Sequence, residues 1–132
     1  VTDTPAEPAP TPFDRIGGTA AIAAIVDRFY DLMEQAPEYA ELRALHQPDL
    51  GPMRASLTAF LSAWLGGPRT WFAMRPGTCI MSMHRSMALS HRSAAQWLDA
   101  MRRALADNGV EPALEAQMRQ AFARMAHGMI QP

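Results

Sequence analysis

Residues 19–35 read TAAIAAIVDRFYDLMEQ. Within them Ile22, Ile25, Val26, Phe29, Leu32 and Met33 recur at the 3.6-residue period of a helix that buries one stripe and exposes the rest. Pro37 closes that helix, because a proline disfavours helical backbone at the residue before it. The same period returns along the chain. Met53, Leu57, Phe60, Leu61, Trp64 and Leu65 mark a helix over 52–65, opened by Gly51-Pro52 and ended by Gly66-Gly67-Pro68. Ser90 suits the cap of a helix over 91–108 carrying Trp97, Leu98, Met101 and Leu105, which Asn108-Gly109 ends. Pro112 fits the first turn of a last helix over 112–130, with Leu114, Met118, Phe122, Met125 and Met129 on one face. Tyr39, Leu42 and Leu45 give a short helical piece before the turn His46-Gln47-Pro48-Asp49. No stretch alternates as a strand does, so the predicted class is all-α.

Between these helices, residues 66–79 show no period and carry turn-forming Gly and Pro, which predicts a long loop of the kind that often serves function. Residues 80–87 have room for one or two helical turns. The opening VTDTPAEPAPTP is proline-rich without a hydrophobic run, so residues 1–12 read as a flexible tail and not as a signal peptide, and the domain starts at Phe13.

The 132 residues fit one domain able to enclose a core and a cofactor. Twelve Lys and Arg against thirteen Asp and Glu leave a net charge of −1, which argues against nucleic acid as a partner. No segment is long and apolar enough to span a bilayer, and the expectation is a cytoplasmic protein without a membrane partner. Cys79 is the only cysteine and cannot close an intramolecular disulfide.

Four histidines, His46, His84, His91 and His127, form no compact zinc signature. His84 lies in CIMSMHRSMAL, residues 79–89, a setting that suits a core histidine bonded to backbone as well as a metal ligand facing an apolar pocket. Tyr30 and Trp97 sit on or beside apolar stripes of long helices, either as core aromatics or as donors of an O–H and an N–H to a bound ligand.

FDRIGG at 13–18, Phe29-Tyr30, LGGPRT at 65–70, His84, and Trp97-Leu98 thirteen residues after it form an ordered set that resembles the second group of truncated haemoglobins. The resemblance runs from Phe13 to about Gln131. It implies a globin-like fold shortened to a two-over-two helical sandwich around haem b, iron protoporphyrin IX. Helices 19–35 and 52–65 would form the distal side, 91–108 and 112–130 would complete the sandwich, and the 66–79 loop would lead to the proximal ligand. By position His84 resembles the iron ligand, Tyr30 the distal tyrosine and Trp97 the group's tryptophan. His46 falls where relatives carry Phe or Tyr, giving an expected distal trio of Tyr30, His46 and Trp97. Met53 and Leu57 match the distal-helix positions facing the ligand, and both are apolar. Ser56 stands where many relatives place a basic residue for a haem propionate, which passes that contact to Arg75, with Trp71 or Arg69. Met87 and Leu89 replace the usual Phe and Ile beyond the iron ligand.

The function this implies is reversible binding of O2, CO, NO or a similar diatomic, as in oxygen transport. A haem-based redox enzyme, a nitric oxide dioxygenase or peroxidase-like protein, is the alternative, and would need an external reductase because no flavin or reductase motif is present. A haem-free helical interaction or sensor module is the third reading.

Overall fold

The structure is a computed structural model and describes residues 9–69, 71 and 89–130. Those residues form helices α1 (Pro12–Ile16), α2 (Gly18–Gln35), a 3-10 turn (Pro37–Tyr39), α3 (Ala40–Ala44), α4 (Gly51–Trp64), α5 (His91–Asp107) and α6 (Pro112–Met129), with no strand among them. The four long helices thus begin and end within a residue of the positions their stripes and caps predict. The expected turns at 80–87 and most of the 66–79 loop lie outside the described residues.

Helix α2 is the hub: it packs on α4 at one side and on α5 at the other, and α5 packs in turn on α6. Val26, Phe29, Ala100, Ala104 and Leu105 are wholly excluded from water. The alanines let α5 approach α2 closely, and Phe29 alone contributes about 2–3 kcal/mol through burial. These two helix pairs are the two-over-two sandwich expected from the sequence.

Short elements fix how the pairs meet. Helix α1 starts at Pro12, inside the segment read from the sequence as tail, because Thr11 and Asp14 form a reciprocal capping box. The Phe13 N–H then donates to the Leu65 carbonyl at 2.9 Å. Gly67 lets the Phe13 ring lie against its backbone, where a Cβ would come within 2.4 Å of that ring. The two glycine motifs of the sequence are therefore halves of one contact, with Gly17 (φ +110°) supplying the left-handed turn from α1 into α2.

The 3-10 turn and α3 are pinned to α5. Tyr39 Oη donates to Asp99 at 2.6 Å and accepts from Arg103 at 3.0 Å, while the Leu42 N–H donates to Gln96 Oε1 at 3.0 Å. The Tyr39 hydroxyl and then Arg102 hold the Asp99 carboxyl below its ordinary pKa. This anchoring places the turn that carries His46. Ser90 closes a second capping box with Ser93 and starts α5, as the sequence suggested.

Candidate functional site

Where the two pairs diverge they leave an apolar cavity of about 180 Å³, with walls from α2, α3, α4, α5 and α6. Tyr30, His46 and Trp97 all line it, so the structure brings together the three side chains singled out as a distal trio. Tyr30 is buried and points from α2, with its ring edge-on to His46 at 6.0 Å between centroids. His46 Nδ1 is 2.9 Å from the Leu42 carbonyl, which suits the tautomer in which that nitrogen carries the proton and donates. Trp97 is held edge-to-face between Phe29 and Phe122, each at 5.2 Å.

Among the described residues neither the Tyr30 hydroxyl nor the Trp97 indole N–H has a hydrogen-bond partner, and neither is sealed inside the core. Both belong to side chains of the cavity wall. An occupant that displaced water from these donors without accepting from them would cost about 1–3 kcal/mol for each, so the cavity is suited to one that accepts hydrogen bonds. Burial pushes the Tyr30 pKa up to about 12, with Arg54 acting in the opposite sense, so the phenol keeps its proton and remains a donor at neutral pH.

Met53 and Leu57 also line the cavity from α4, Met53 at its rim with 37% of its surface exposed. Trp71 is buried in the wall, edge-to-face with Phe60 at 5.2 Å, and its indole N–H points to Ser56 Oγ at 3.4 Å. It lines the cavity, while its N–H is turned to Ser56. Arg69 is exposed and is not part of the cavity wall. His84, Arg75 and Met87 lie outside the described residues.

Several wall residues are not among the site residues expected from the sequence. Phe60, Phe122, Met125 and Met129 line the cavity, yet their spacing on α4 and α6 is that of ordinary core stripes. Only the position of Met125 and Met129 beyond the last fully buried residue of α6, Phe122, separates pocket from core. The lining as a whole fits a large flat apolar group: aromatic, thioether and aliphatic side chains form most of it, and Tyr30, His46 and Trp97 add polar atoms to an otherwise largely apolar wall.

Two helix pairs clasping an apolar cavity with a phenol, an imidazole and an indole in its wall define a truncated, two-over-two globin. The family model described as bacterial-like globin matches residues 11–131, and the chain belongs to that family. Solved structures agree. The cold-adapted truncated haemoglobin of the Antarctic marine bacterium Pseudoalteromonas haloplanktis TAC125 is 30% identical, with a TM-score of 0.88 over 92% of this chain and 98% of that one. The group II two-on-two haemoglobin of Agrobacterium tumefaciens is 28% identical, with a TM-score of 0.91 over 96% and 98%. The group II truncated haemoglobin of Bacillus anthracis is 26% identical, with a TM-score of 0.87 over 95% and 94%. The resemblance to the second group of truncated haemoglobins therefore holds, and the chain is a haem-binding globin.

Proposed function

We propose that this globin binds haem b through His84 and takes up O2, or a related diatomic such as CO or NO, on the side lined by Tyr30, His46 and Trp97. The observation that carries this reading is that the Tyr30 O–H and the Trp97 N–H belong to the wall of one apolar cavity and, among the described residues, have no hydrogen-bond partner. When bound, the haem supplies the iron at which a diatomic is held. The chain's own part is to exclude water with Met53, Leu57, Phe60 and Phe122, and to present the two donors to an atom that carries partial negative charge. His46, its ring bonded to the Leu42 carbonyl, packs in a T-shaped contact with the Tyr30 ring. Assignment of Arg75 and Met87 to the haem rests on the family resemblance.

Rapid mixing tests the reading. One hydrogen bond lost is worth about 1–1.5 kcal/mol, so Tyr30→Phe or Trp97→Phe is expected to release O2 roughly tenfold faster. Unchanged release in both variants would remove these residues from ligand binding. Absorption spectra test the cofactor: the ferrous protein is expected to show an intense Soret band that shifts with CO and is lost or altered in His84→Ala.

A further inference from the structure

Arg54 lies on α4 one position beyond Met53, yet it faces α2. Its Nη1 donates to both the carbonyl (3.0 Å) and the carboxylate (3.2 Å) of Asp27, and its Nη2 to the Asp31 carboxylate at 2.8 Å. Asp27 and Asp31 are four residues apart, one turn of α2, and Tyr30 falls between them in sequence. The planar guanidinium is thus held by three bonds. That fixes its carbon 5.7 Å from the centre of the Tyr30 ring, within the range of a cation–π contact.

We propose that Arg54 is a positioning residue for the distal site, holding the Tyr30 phenol in register with the cavity and strengthening it as a hydrogen-bond donor. Tyr30 touches Arg54 and also makes T-shaped contacts with the His46 and Phe29 rings, so Arg54 is one of three groups that bear on its orientation. A fixed positive charge over the ring draws electron density from it and favours release of the phenolic proton, and the Arg54 charge does act on this phenol against the effect of burial. The Arg54 side chain is only 25% exposed, so water screens this charge less than it would a fully solvated one. A lysine would place a point charge that cannot hold Asp27 and Asp31 with one planar group.

The proposal rests on Tyr30 as a distal donor, and the experiment separates the two. The protein has two tyrosines, Tyr30 and Tyr39, so tyrosine-labelled 13C spectra of the ferrous CO form resolve each ring. Arg54→Met and Asp31→Asn are both expected to move the Tyr30 signals and leave those of Tyr39, which is held by Asp99 and Arg103, in place. Arg54→Met is also expected to release O2 roughly fivefold faster in the native background, and to add nothing to Tyr30→Phe, the signature of two residues acting through one interaction. Tyr30 signals that stay put in both clamp variants overturn the proposal, as does an Arg54→Met effect that persists undiminished beside Tyr30→Phe. Should Tyr30→Phe itself leave O2 release unchanged, the gas-binding role of Tyr30 falls, while the spectra still decide whether Arg54 positions the ring.

Discussion

Tyr30 combines burial with a titratable group, and this gives it a stability signature of its own. Its pKa is pushed up to about 12 in the fold, chiefly by burial, whereas an unfolded tyrosine titrates near 10. A raised pKa means the contribution is fully present below about pH 10 and is lost as pH climbs toward 12, since the unfolded chain gives up its proton first. Two units correspond to about 2–3 kcal/mol. Urea denaturation from pH 9 upward is therefore expected to show a steep loss of stability in the native protein and a shallower one in Tyr30→Phe; parallel slopes would place the effect elsewhere. Tyr39 is raised as well, by burial first and then by Asp99, and the difference between the two proteins cancels it. Tyr30 and Trp97 were legible as candidates because each puts a polar atom beside an apolar stripe. Arg54 was not, because an arginine on an amphipathic helix reads by default as a solvated one, and its partners lie 23 and 27 residues away.

At the level of elements, local rules settled the ends of helices while long-range contacts settled how they meet. Ser90→Ala removes the side-chain oxygen that accepts the Ser93 N–H at 3.0 Å. Calorimetry is expected to show a loss of about 1 kcal/mol, the usual worth of such a cap, and no loss would mean that water replaces it. Gly67→Ala acts differently. Its methyl would come within 2.4 Å of the Phe13 ring, so α1 must move off the end of α4, taking the Phe13 N–H bond to Leu65 with it. A loss of about 1–3 kcal/mol is expected, as for other overpacked contacts, and Phe13→Leu in the same chain is expected to recover part of it by removing the ring. The cap at Ser90 and the stops at Gly66-Gly67 and Asn108-Gly109 could be read from neighbouring residues. The Phe13–Gly67 contact could not, because periodicity carries no information about residues so far apart in the chain; for the same reason Thr11 and Pro12 passed for tail.

The molecule as a whole divides into a dry half and a hollow half. At the α2–α5 contact Val26, Phe29, Ala100, Ala104 and Leu105 are fully buried whatever occupies the cavity. The first turns of α4 and the last turns of α6 rest on the cavity instead, through Met53, Leu57, Met125 and Met129. Periodicity could not draw this division, since all these residues occupy similar stripes; the family resemblance assigned Met53 and Leu57 to the ligand side, but nothing in the pattern set Met125 and Met129 apart from the core of α6. Without haem the hollow half lacks apolar partners on one side, and a gap of that kind forfeits contact energy outright. Hydrogen exchange of the haem-free protein is accordingly expected to be slow along α2 and the middle of α5, and fast at residues 51–57 and 123–130. Adding haem is expected to slow both fast segments together, by the free energy of its binding. If the haem-free protein exchanged uniformly, the fold would be a single unit that the haem stabilises from within. If only α6 responded to haem, α4 would not be part of its pocket, and Met53 and Leu57 would lose their role in keeping water from the iron.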